Sequence, residues 1–231
     1  MAVEFVASGA SPGADASQAV VIVKPIGLAS GNLMVAKITI FIETAAIVTP
    51  PADWTLIRAD MVDGVIKTWL FWKNADAADA AAADFTFTID TACTNLGAMS
   101  ARTGHDPISP INAHNGQGNA SSATVTAPTI TPAVANCMIC MEASASNDLT
   151  CSGYAITDDN PASWLEAYDV LYNGDNDMMM AEGYALRPET SATGNGTATM
   201  SNNRTNVGQL IAIAPASEEE ETPVPKVISG R

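Results

Sequence analysis

The chain has 231 residues, 47% of them hydrophobic and only 15% charged, with 25 acidic against 10 basic side chains and a net charge of −15. That is ample apolar material for one large β domain, and basic residues scattered singly exclude the footprint of a nucleic-acid binder. No stretch approaches the roughly 20 apolar residues of a membrane-spanning helix.

Met1–Phe5 lacks a cationic leader, so cytoplasmic synthesis without export is expected, with Cys93, Cys137, Cys140 and Cys151 as free thiols.

In chain order, a short strand over Val3–Val6 precedes a small, polar loop at Ala7–Gln18. Strands are predicted at Val20–Val23 and Asn32–Ile42, where Met34, Ala36, Ile38, Ile40 and Ile42 share a face. The opposite face mixes Leu33, Val35 and Phe41 with Lys37 and Thr39, which predicts partial cover. Trp54–Ala59 and Val65–Trp72 follow, the latter apolar on both sides as a central strand would be. Ala75–Asp84 has helix propensity without a large apolar face and is expected to make one or two helical turns at most.

Asp84–Asp90 alternates Phe85, Phe87 and Ile89 with Thr86 and Thr88, the mark of a half-buried strand. Further strands are expected at Leu96–Arg102, Ala123–Thr126, Cys137–Ala143, Trp164–Val170, Met178–Leu186, Thr197–Met200 and Val207–Ile213. Turn clusters separate them, among them Gly31-Asn32, Pro50-Pro51, Asp158–Pro161 and Asn173-Gly174-Asp175.

The pattern predicts an all-β fold, an antiparallel two-sheet β-sandwich of jelly-roll type. Residues 1–18 read as an N-terminal strand and arm, 19–215 as the sandwich, and 216–231 as an acidic, proline-containing C-terminal arm. No internal repeat of fixed period is evident. In the last segment, Glu218 and Glu219 open an acidic run and Val224, Pro225, Val227 and Ile228 form an extended, partly apolar sequel. The reading there divides between a solvated tail and an arm that docks on a neighbour.

Few constellations carry chemistry. Cys137 and Cys140 form a C-x-x-C, but residues three apart on a strand point to opposite faces, which disfavours a shared metal or a disulfide. His105-Asp106 has no nucleophile on a strained turn beside it, so Asp106 is read as capping a turn and no enzyme is predicted. Asn173, Asp175 and Asp177 alternate like calcium ligands but lack the rest of an EF-hand loop; a plain hairpin turn is the main reading, with Ca2+ the alternative and no other cofactor implied. Trp164, Tyr168 and Tyr172 fall four apart, which on a regular strand places them on one face. That strip is either an inner sheet face or an aromatic platform for a host-surface glycan.

The landmarks Gly31–Ala36, Pro50-Pro51-Ala52-Asp53-Trp54-Thr55, Leu70-Phe71-Trp72-Lys73, Phe85–Thr88, Gly104–Ile111 and Gly208-Gln209-Leu210 occur in a telling order. The chain resembles, over about residues 20–215, a family of β-sandwich domains of tailed-phage virion proteins and related bacterial surface proteins. Asp53, Lys73 and His105 stand where that family has Gly, Arg and Val. The resemblance implies a structural protein of a virion: a head decoration protein first, otherwise a tail or fibre component. Its partners would be a major capsid or tail protein and further copies of itself, with neither nucleic acid nor membrane. The alternative is a carbohydrate-binding adhesive module.

Overall fold

The computed structural model describes residues 1–41, 46–62, 64–158 and 163–217. Thirteen strands and one short helix follow in order: β1 Glu4–Ala10, β2 Ala14–Val23, β3 Leu33–Phe41, β4 Val48–Thr49, β5 Thr55–Val62, β6 Ile66–Asn74, α1 Ala77–Ala81, β7 Asp84–Thr103, β8 Ile111–Ala127, β9 Cys137–Ser146, β10 Cys151–Ile156, β11 Leu165–Tyr172, β12 Met178–Arg187 and β13 Gly196–Ile213. The fold is an antiparallel two-sheet β-sandwich. One sheet runs β1-β7-β3-β6-β5, with β2 and β4 also on β7; the other runs β10-β13-β9-β12-β11, with β8 also on β13. Helix α1 falls in the segment expected to make one or two helical turns, and is closed by a reciprocal capping box between Asp76 and Asp79.

The two sheets are two copies of one topology. Strands β1–β7 pair as β8–β13 do, with β1 and β2 together corresponding to β8. The irregularities coincide as well. β5 slips on β6 between Leu56 and Arg58, and β11 slips on β12 between Glu166 and Tyr168. β2 slips on β7 on either side of Ser17, and β8 slips on β13 on either side of Ser122.

A buried asparagine closes each of the latter bulges. Asn95 donates to the carbonyls of Ser17 and Cys93, both at 3.3 Å. Asn206 donates to those of Ser122 and Arg204, at 3.4 and 3.0 Å. A bulge leaves ladder carbonyls unpaired, and a side-chain amide satisfies them.

The repeat that the sequence hides is visible once these positions are aligned. Thr94-Asn95-Leu96-Gly97 returns as Thr205-Asn206-Val207-Gly208, and Pro51-Ala52-Asp53-Trp54 as Pro161-Ala162-Ser163-Trp164.

Each copy closes over a core of its own. The first gathers Val20, Ile22, Met34, Ile38, Trp54, Trp69, Phe71 and Phe87. The second gathers Val125, Ile139, Met141, Tyr154, Met179, Met200 and Leu210. Back to back, the copies share a third layer, where Leu33, Val35 and Leu70 meet Met138, Cys140 and Ile211, and Leu96 and Ala98 meet Tyr168 and Met180. The face of β3 expected to be partly covered is therefore sealed, with Lys37 and Thr39 inside it.

Equivalent residues face one another there. Lys37 Nζ lies 3.3 Å from Glu142 Oε2, both side chains fully buried, and Thr39 Oγ1 donates to Ser144 Oγ at 3.0 Å. Lys37 also donates to the carbonyls of Ala143 and Ala181. Nearby, buried Arg102 pairs with Glu182, which also accepts from Ser100 Oγ at 2.8 Å. In these two pairs across the shared layer the cations come from the first copy and the carboxylates from the second.

Several expectations are corrected. Ala7–Gln18 is not a loop or free arm; apart from residues 11–13 it is strand, paired with β7. Asp84–Asp90 and Leu96–Arg102 are parts of one strand, as are Thr197–Met200 and Val207–Ile213. Ala123–Thr126 is the end of a strand that begins at Ile111, and β4 and β10 were not foreseen. Ile42 lies outside the described residues.

Candidate functional site

The predicted strip of Trp164, Tyr168 and Tyr172 does not form. The bulge between Glu166 and Tyr168 inserts an extra residue into β11 and reverses the facing of everything before it. Tyr168 points between the sheets, where its hydroxyl donates to Glu142 Oε2 at 3.0 Å. Burial and the adjoining carboxylate hold its phenol well above the usual range. Tyr172 sits at one end of the shared layer and donates to Asp15 Oδ2 at 2.7 Å. Trp164 lies on the other side of the sheet, against the second copy's core.

Asn173, Asp175 and Asp177 do not gather their side chains round one point. Asp177 Oδ1 accepts from the Gly174 amide at 3.1 Å, closing the turn, and Asn173 Nδ2 donates to Asp148. The Asp175 amide donates to Asp15 Oδ2, so Asp15, not foreseen from the sequence, anchors this hairpin to the first copy. Among the described residues no three His, Cys, Asp or Glu side chains converge as metal ligands. Cys93, Cys137, Cys140 and Cys151 are free thiols, and Cys137 and Cys140 enter different cores, as their spacing predicted. Burial pushes the thiols of Cys93, Cys137 and Cys151 up to about 11, so none is poised as a nucleophile.

Two surface features stand out. The first is the end of the sandwich where the described residues finish, at Ser217. The Ala216 amide donates to the Gly104 carbonyl at 2.8 Å, Asp106 N donates to Ala214 O at 2.9 Å, and the Met1 ammonium reaches Ala216 O. Both ends of the described chain thus meet at the linker between the copies. Asp106 Oδ1 caps the linker by accepting from Ile108 N and Ser109 N, as expected, and those bonds hold its carboxyl below the usual range. His105 is buried, and its Nε2 lies 2.9 Å from Asn74 Oδ1. Around this root, Ile108 is 86% exposed and Met1 77%, with Leu186 and Val134 also exposed. A cavity of about 540 Å3 opens there between Met1, Asn136, Leu186, Pro188 and Pro215. The arm candidates Glu218, Glu219, Val224, Pro225, Val227 and Ile228 lie outside the described residues.

The second feature is a cleft beside Trp164. In the first copy the corresponding Trp54 is sealed by edge-on contacts with Phe85 at 6.0 Å and Phe87 at 5.3 Å. The positions equivalent to those phenylalanines carry Gly196 and Ala198, which face Ala127 and Val125 as Phe85 and Phe87 face Ile22 and Val20. Without that cover Trp164 is only partly buried and stacks on Tyr154, the ring centroids 6.4 Å apart and the planes 28° apart. Tyr154 in turn lies on the bare backbone of Gly183, where a Cβ would come within 2.2 Å of its ring. Ser152, Gly153, Tyr154, Trp164 and Glu166 line a cavity of about 400 Å3. Partial desolvation and neighbouring Asp169 raise the Glu166 carboxyl.

Of the cleft residues only Trp164 was singled out in the sequence. Tyr154 and Glu166 carry no local signal, and only alignment of the two copies brings them forward.

No protein-family model, curated protein or solved structure matches this chain.

Proposed function

We propose that the protein is a structural subunit of a tailed-phage or phage-like virion, a decoration protein of the head, with a place in the tail or fibre as the second choice. The observation that carries this reading is the apolar end at the root of the C-terminal arm. Exposed Met1 and Leu186 line one cavity and exposed Val134 another, both bordered by Pro215 and Ala216, and Ile108 is exposed on the linker two residues from Asp106. Exposed apolar side chains at such cavities are suited to a docking face. The sequence beyond Ser217, with Val224, Pro225, Val227 and Ile228, supplies apolar side chains suited to a neighbour seated there. The order of sequence landmarks supports the same context, since in the phage proteins they resemble they belong to particle components.

The polar residues of the interior fit a scaffold role. Lys37, Arg102, Glu142, Glu182 and Ser100 are spent on one another between the sheets. The occupant of the apolar end is the shell subunit on which the protein sits, and copies of the chain associate through that support.

Truncation after Ser217 tests the reading. The shortened protein should melt as the full chain does yet incorporate poorly into particles, measured by mass spectrometry of purified virions, and Ile108→Asp should act in the same direction. Full occupancy by both variants would refute attachment through this end.

A further inference from the structure

We propose that the cleft beside Trp164 is a carbohydrate-binding site that takes a neutral pyranose ring. The ring would lie on the indole of Trp164, with its hydroxyls bonded by the Glu166 carboxylate and the Ser152 hydroxyl.

The comparison between the copies is the starting point. A scaffold that needed only to be stable would seal Trp164 as it seals Trp54, since burying an aromatic side chain is worth several times the cost of most surface changes. The second copy instead carries Gly196 and Ala198 at the covering positions, and Trp164 stays only partly buried at the wall of an open cavity. The platform is nonetheless rigid. Tyr154, packed on the Gly183 backbone, props Trp164 from behind. A platform fixed in advance spares a ligand the cost of ordering it.

The lining matches a sugar's two-sided chemistry. A pyranose presents an apolar face of C–H bonds and an equatorial rim of hydroxyls. Trp164 offers the flat apolar surface, while Ser152 and Glu166, both exposed, supply a donor-acceptor and an acceptor at the cleft edge. A volume of about 400 Å3 suits one or two sugar rings and falls within the ordinary range of small-molecule sites. The near-parallel rings make a single platform, whereas an organic cation is held by aromatic faces on several sides. The site is independent of the arm root, so an attachment role for one and glycan binding by the other do not compete.

Titration of the full chain with methyl glycosides of glucose, galactose, mannose and N-acetylglucosamine, and with short oligomers of each, tests the proposal by calorimetry and tryptophan fluorescence. At least one saccharide should saturate the protein and shift the tryptophan emission. Trp164→Ala should weaken that binding by about tenfold or more, and Trp164→Phe should restore part of it. Glu166→Gln and Ser152→Ala alter only the exposed rim and should weaken binding without changing the melting temperature, so they decide the matter even where Trp164→Ala fails to fold. Tyr168→Phe should bind as the parent does, since that hydroxyl is committed to Glu142 inside the sandwich. No saturable binding by any of these sugars, binding indifferent to Trp164→Ala and Glu166→Gln, or saturation by choline alone would each overturn the assignment.

Discussion

Asn95 and Asn206 do the same work at matching places, each filling the interior of a bulge and pairing two carbonyls that the strand ladder leaves behind. Both are buried, so their removal exposes those carbonyls to a dry environment rather than to water. Asn95→Ala and Asn206→Ala should therefore each destabilise the protein by about 1–3 kcal/mol, measured by urea unfolding. The second effect should be the larger, because Asn206 Oδ1 also accepts from Asn119 Nδ2 at 2.8 Å.

Neither residue attracts notice in the sequence. A polar side chain inside a strand reads as a solvent-facing position, although Asn95 shares the facing of Phe87 and Met99 and Asn206 that of Met200 and Leu210. A change of facing within one strand undid the aromatic strip. A spacing of four on an unbroken strand keeps Trp164, Tyr168 and Tyr172 on one face, and one bulge splits the first from the others.

Elements were legible where apolar residues alternate, as in Phe85, Phe87 and Ile89, and illegible where close packing demands small polar residues. Strand β8 is the clearest case. Its first half, Ile111–Ser122, reads as a loop because of Gly116, Gly118 and several Asn and Ser residues. A Cβ on Gly118 would lie 2.2 Å from the Met61 carbonyl oxygen, so the glycine is there to let β5 approach.

Turns are the complementary case: aspartates hold them, and of these the sequence singles out Asp106. Asp106 caps the linker between the copies, Asp76 caps α1, and Asp15 anchors the 173–177 hairpin. Hydrogen bonds from backbone amides hold all three carboxyls below their ordinary values. Groups whose folded pKa is depressed contribute stability above the unfolded value, and that contribution is lost as the pH falls through the folded one. Thermal stability should thus decline as the pH drops below about 4, and Asp106→Asn should flatten part of the decline. Asp169 and Glu166, raised by burial, act in the opposite sense and soften the slope without reversing it. Melting curves between neutral pH and the acid limb would check both points.

At the scale of the whole molecule, the duplication explains why a sandwich of this size holds fully buried charges. A symmetric pair of identical copies would bring Lys37 against Lys37 and Glu142 against Glu142, with no compensation for the lost hydration. The chain resolves this by divergence. The first copy supplies Lys37 and Arg102, the second supplies Glu142 and Glu182, and each cation finds its carboxylate across the shared layer.

That asymmetry forecasts how the halves behave when separated between Pro107 and Ile111. Each retains its own core, yet each exposes a face that pairs poorly with itself, since self-association would bury like charges. Residues 1–109 and 110–231, expressed apart, should be weakly stable or prone to aggregate, and when refolded together should form a one-to-one complex. Sedimentation would show the heterodimer, and urea unfolding would show a single transition shared by both fragments. Replacing Lys37 by Met in the first fragment should abolish much of that preference, because it leaves Glu142 buried beside an apolar side chain, whereas pairing Lys37→Met with Glu142→Gln should recover part of it. A stable homodimer of either unmodified half, formed as readily as the mixed complex, would show that the charge division does not govern how the copies pair.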